Sequence, residues 1–102
     1  MADPCIVGWA HGKFGKSAAA GTEELMAEVV APALEHAGVG PGEVDGIFVG
    51  CYNNGFQHQD FQGALVAMGT PGLEHVPAMR TENACATGSA ALYSAMDFIA
   101  AG

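Results

Sequence analysis

Positive charge is scarce: three lysines and arginines stand against eleven aspartates and glutamates, giving a net charge of −8 at pH 7. Without a basic face to neutralise phosphates, nucleic acid and anionic membranes are poor partners. Cysteine is sparse and odd in number. Cys5, Cys51 and Cys85 form no CxxC pair, so neither a disulfide scaffold nor a zinc ribbon is indicated, no metal is assigned, and a reduced cytosolic compartment fits. No apolar run approaches the length of a membrane span. The opening residues Met1-Ala2-Asp3-Pro4 put an acid where a secretory leader carries bases. Repeats and low-complexity tracts are absent as well. What remains is 102 residues, half of them hydrophobic, which suffices for one core and excludes two full domains.

The apolar residues fall into an alternating pattern. Residues 5–10, Cys-Ile-Val-Gly-Trp-Ala, form a short run that reads as a first strand, closed by a glycine- and lysine-containing loop at 11–16. Leu25, Met26, Val29, Val30, Ala33, Leu34 and Ala37 then draw one stripe on a helix. Thr22 is its expected cap and Gly38 its stop, and Glu23, Glu24 and Glu28 suit the positive end of the dipole. Pro32 inside this stripe predicts a bend or an early end. Residues 44–51 read as a second strand, and a polar loop at 52–59 leads to a second helix with Phe61, Ala64, Leu65 and Met68 on one side. Residues 75–82 read as a third strand. Pro77 cannot donate to a central ladder, so this strand is expected at an edge that another chain covers or pairs. A slim last helix is expected over 86–101. The order β-α-β-α-β-α predicts an α/β fold with a mostly parallel three-strand sheet, part of a larger α/β domain.

Chemistry concentrates at Cys85. It lies where the third strand feeds the last helix, in Thr81-Glu82-Asn83-Ala84-Cys85-Ala86-Thr87-Gly88-Ser89. Unpaired backbone N–H groups and the dipole at a helix start favour a thiolate. Their contribution reaches about 2 kcal/mol, so full activation of a nucleophile there needs a base from elsewhere. The competing reading is a small buried hydrophobe. Gly88 and the flanking alanines remove bulk where a substrate would approach, in parallel with the strand-turn-helix elbow of hydrolases. Cys5 and Cys51 sit in or beside apolar runs and read as inert.

Other constellations are weaker. His11, His36, His58 and His75 are scattered over a loop, a helix end, a second loop and a strand start, and none is assigned as the base; His36 has a favourable dipole contact of its own. Cys51, His58 and Asp60 match no closed zinc spacing. Gly8, Gly12 and Gly15 are spaced GxxxGxxG with no helix opening directly behind them, unlike a dinucleotide fingerprint.

The segment Glu82-Asn83-Ala84-Cys85-Ala86-Thr87-Gly88-Ser89-Ala90-Ala91-Leu92 resembles the nucleophile motif of thiolases, most closely the sterol-carrier-protein-2 type of acetyl-CoA acetyltransferase. Ile6-Val7-Gly8 with Phe14-Gly15-Lys16, then Ala37-Gly38-Val39 with Val44-Asp45-Gly46-Ile47-Phe48-Val49-Gly50, follow in family order and spacing, so nearly the whole chain is covered. The Cys-Ala-Thr-Gly core is shared with ketoacyl synthases. The resemblance implies residues 1–102 as the N-terminal part of a thiolase N-terminal domain, with Cys85 taking the acyl group and its backbone N–H helping to hold an oxyanion. It implies a coenzyme A thioester as substrate and no tightly bound cofactor. It also implies a homodimer or homotetramer through the strand at 77–82, and completion by the remaining thiolase half or a small partner protein. The activating histidine, second cysteine and most coenzyme A contacts of that family come from later sequence, so this chain alone is expected not to turn over. Two other readings stay open: a ketoacyl-synthase-like condensing enzyme, and a non-catalytic assembly module in which Cys85 only packs.

Overall fold

A computed structural model describes residues 3–53 and 60–102. The chain is α/β, with three α-helices and a parallel sheet among the described residues. Helix α1 spans Thr22–Ala37, strand β1 Ile47–Gly50, helix α2 Gln62–Gly69, strand β2 Ala78–Thr81 and helix α3 Thr87–Ala100. β1 and β2 pair in parallel with Ile47 opposite Ala78 and Gly50 opposite Thr81. Ile47 N–H to the Pro77 carbonyl (2.9 Å) and Cys51 N–H to the Thr81 carbonyl (3.1 Å) extend the ladder at both ends. Pro77 lies one residue before β2 and contributes only its carbonyl, the one ladder group a proline has.

The expected first strand is a correction. Among the described residues the sheet has two strands, and no backbone–backbone hydrogen bond reaches residues 5–10. This segment is held by α1 instead. Trp9 N–H donates to His36 Nδ1 at 3.0 Å, and a β-carbon on Gly8 would lie 2.6 Å from Ala37 Cβ. The segment thus gives one of its ladder donors to an imidazole, while Ile6 and Val7 stay exposed. His36, in the last turn of α1 as expected, acts there as an acceptor as well.

α1 runs through Pro32 without shortening. Glu28 and Pro32 both lie on the exposed side, where water can satisfy the carbonyl that proline leaves without a donor. Gly21, not Thr22, is the N-cap residue. Gly38 ends the helix as expected at φ 69°. Its N–H reaches the Glu35 carbonyl and Val39 N–H the Leu34 carbonyl, the paired bonds of a Schellman stop.

Helices cover both faces of the sheet, as strand alternation requires. Phe48 meets Phe98 of α3 with ring centroids 5.5 Å apart, and Gly50 abuts Thr87 at the head of the same helix. On the other side Ile47 shares an apolar cleft with Val66 of α2 and Val30, Ala33 and Leu34 of α1. Leu65, Val66, Ala67 and Leu73 form the buried core. α2 docks through Gly63, where an added β-carbon would lie 3.1 Å from the Met79 backbone. That close approach turns the helix away from the expected face: Leu65 is buried, but Phe61, Ala64 and Met68 are exposed. Phe61 precedes the helix in a left-handed conformation at φ 66°. No helix among the described residues is long and apolar enough to cross a membrane.

Candidate active site

After β2 the chain passes Glu82 and Asn83 and makes a 3-10 turn over Ala84–Ala86 before α3 begins at Thr87. Cys85 is therefore at the strand-to-helix junction, in the turn ahead of α3 and not inside its first α-helical turn. Cys85 is exposed.

Five hydrogen bonds build the turn, one of them from Thr87 N–H to the Ala84 carbonyl. Ala86 N–H donates to the Asn83 carbonyl at 2.8 Å, closing the 3-10 ring. Ala84 N–H donates to Glu82 Oε2, so a carboxylate occupies the first orphan donor of the turn. Asn83 N–H donates to Thr87 Oγ1 at 2.9 Å, and Thr87 Oγ1 donates to the Ala84 carbonyl at 2.6 Å. The Cys85 N–H is the remaining donor at the head of the turn, and none of the hydrogen bonds among the described residues uses it. Ala84 takes φ 44°, a left-handed value uncommon for a residue with a β-carbon. Such strain often marks a functional turn.

Behind this turn, the end of β1 supplies a seat. A β-carbon on Gly50 would stand 2.9 Å from the Thr87 carbonyl oxygen and 3.0 Å from Thr87 Cγ2. Arg80 Nε donates to the Cys51 carbonyl at 3.0 Å, tying the exit of β1 to β2. In front, a β-carbon on Gly88 would meet nothing within 4 Å, so the approach to the turn is open. An exposed thiol beside a free N–H is suited to attack a carbonyl and hold the oxygen that becomes negative.

Cys51 is half-buried with Sγ 3.8 Å from the Asn53 carbonyl, and Cys5 is exposed with Sγ 3.7 Å from the Asp3 carbonyl. His11 packs edge-on against Phe14 at 4.9 Å, His36 binds Trp9, and His58 lies outside the described residues, as does most of the 52–59 loop. A cleft of about 770 Å³ opens between residues 11–18 and α1, and Cys85 is not among its lining residues. Thr87 and Gly50 were not singled out as site residues by sequence. Neither residue carries a sequence signal of that role, which lies in the contact between them.

Comparison with known proteins places the sequence in a family. Residues 5–102 match the family described as thiolase, N-terminal domain. The chain is 35% identical over its whole length to an acetyl-CoA acetyltransferase of Methanocaldococcus jannaschii and 33% identical over its whole length to one of Methanothermobacter thermautotrophicus. It covers 26% and 27% of those two proteins, so it spans about a quarter of the relatives it matches.

Proposed function

Because the chain belongs to the thiolase family, through that family's N-terminal domain, we propose that it supplies the acyl-accepting cysteine of a thiolase-type acyltransferase. The substrate is a coenzyme A thioester, and the relatives' name, acetyl-CoA acetyltransferase, makes acetyl-CoA the first choice. The observation that carries this reading is the exposed Cys85 thiol in a strained turn whose adjacent N–H is uncommitted.

In the proposed reaction the Cys85 thiolate attacks the thioester carbonyl and forms a carbon–sulfur bond. The carbonyl electrons move to oxygen, where the Cys85 N–H donates to the oxyanion. Collapse of that intermediate breaks the bond to coenzyme A sulfur, and the departing thiolate takes up the proton first removed from Cys85. The α-carbon of a second thioester, its α-proton taken by a base from outside these residues, then forms a bond to the acyl carbon and releases the Cys85 thiolate, giving condensation. In thiolysis, the reverse, Cys85 attacks the 3-oxo carbonyl of a 3-oxoacyl thioester, the bond to the α-carbon breaks, that carbon takes up a proton, and free coenzyme A removes the acyl group. The base and the second oxyanion donor come from outside these 102 residues, and by themselves they do not turn over. No tightly bound cofactor is required.

Surface area supports a larger assembly. The chain exposes 7179 Å², whereas a compact monomer of this mass exposes about 5,400 Å². The excess is comparable with two standard contact patches of about 800 Å² each. Met79 on β2 and Ile6, Val7 and Trp9 on the first segment are among the uncovered apolar residues. The β2 edge is the proposed contact with a second copy, and the first segment the proposed contact with the remainder of the thiolase fold. Three free thiols suit a reducing cytoplasm.

The test is a burst assay. Mixing the complete protein with acetyl-CoA should release, in a burst ahead of steady condensation, about one coenzyme A per Cys85. Cys5→Ala and Cys51→Ala should keep the burst, and Cys85→Ala should abolish it. A burst that survives Cys85→Ala refutes the assignment.

A further inference from the structure

Thr87 is among the few buried polar side chains of the described residues, 8% exposed, and it stands two positions after Cys85. Its hydroxyl works in both directions: Oγ1 accepts from Asn83 N–H and donates to the Ala84 carbonyl, and Thr87 N–H reaches the same carbonyl. The oxygen so held belongs to the Ala84–Cys85 peptide. A trans peptide is planar, with its carbonyl and N–H pointing in opposite directions. Drawing the Ala84 oxygen inward, onto the head of α3, therefore turns the Cys85 N–H outward. The same two bonds hold Ala84 at φ 44°, which a side-chain-bearing residue does not keep without support. Thr87 is itself pinned from behind, since Gly50 leaves no room for a β-carbon between the end of β1 and the Thr87 methyl and carbonyl.

We propose that Thr87 is a positioning residue for acyl transfer: its hydroxyl, acting through the Ala84 carbonyl, aims the Cys85 N–H at the oxyanion that forms on the acyl group. This rests on the reading of Cys85 as the acyl acceptor. Packing and hydroxyl roles separate by substitution. Thr87→Val keeps the branched shape and loses both side-chain hydrogen bonds, whereas Thr87→Ser keeps the hydroxyl and loses the methyl that faces Gly50.

Two rates at the same sulfur complete the test, both measured on the complete protein. Alkylation of Cys85 by iodoacetamide displaces iodide and forms no oxyanion; acetylation by acetyl-CoA forms one. Thr87→Val should slow acetylation by at least about tenfold relative to alkylation, with Thr87→Ser close to the unmutated protein in both. Circular dichroism confirms that each variant folds, and Thr87→Ala serves with the same expectation where Thr87→Val does not. The inference is overturned if the ratio of the two rates is unchanged in Thr87→Val, or if Thr87→Ser loses as much as Thr87→Val. Unmutated protein that is alkylated at Cys85 but never acetylated there overturns the acyl-acceptor reading itself, a distinct result.

Discussion

Gly50→Ala tests how the thiol is seated. The new β-carbon would lie 2.9 Å from the Thr87 carbonyl oxygen and 3.3 Å from the Thr87 carbonyl carbon, both backbone atoms that no rotamer change can move. Ordinary contact begins near 3.4 Å, so the end of β1 and the head of α3 must part by about 0.5 Å. Overpacking of this kind costs about 1–3 kcal/mol and should lower the Tm of the complete protein. The displaced element carries the nucleophile turn. Since a 1 Å misplacement of reacting groups costs about a hundredfold in rate, half that shift should slow acetyl transfer by about tenfold. The assay pairs a thermal melt with the rate of coenzyme A release from acetyl-CoA. Gly42→Ala is the control, because its β-carbon would meet nothing within 4 Å. A Gly50→Ala protein with unchanged Tm and unchanged release rate would show that α3 is not seated on β1 and would refute the reasoning.

Gly8→Ala should be at least as costly as Gly50→Ala, since its β-carbon would fall 2.6 Å from Ala37 Cβ and 2.7 Å from Ala37 N; limited proteolysis should then cut residues 3–13 faster, and an unchanged cleavage rate counts against docking of this segment on α1. Ala84→Gly relieves the left-handed φ of 44° and should raise the urea midpoint by the equivalent of up to about 1 kcal/mol; a lower midpoint would show that the turn is not strained. Glu74 accepts hydrogen bonds from its own N–H and from Gly72 N–H, which hold its carboxyl below the usual carboxylate range. A lowered folded-state value contributes stability above the ordinary carboxylate value and loses it as pH falls through the lowered one. Urea midpoints of the unmutated protein and Glu74→Gln should accordingly converge on acidification, and a gap that stays constant from neutral to acid pH contradicts the turn's role.

Local signals carried the parts of the fold that depend on local chemistry. Gly38 stops α1 because only a residue without a β-carbon enters the left-handed cap freely, and that is visible in one letter. The Cys85 junction was legible because a glycine- and alanine-rich run following a strand pattern marks a helix start. What escaped depends on contacts between distant segments. Residues 5–10 have the composition of a strand, yet Trp9 N–H goes to an imidazole 27 residues away. The face of α2 was misread because Gly63, which shows as a gap in the apolar stripe, is the point where the helix touches β2. Thr87 and Gly50 escaped for the same reason: each is unremarkable alone, and their importance lies in their meeting.

The central claim is that Cys85 carries the acyl group during the reaction. The most direct measurement is peptide mass spectrometry of the complete protein, quenched in acid while acetyl-CoA is being consumed. The expected result is the mass of one acetyl group on the peptide containing Cys85, lost again when free coenzyme A is added before the quench. Continued consumption of acetyl-CoA with that peptide unmodified would contradict the account.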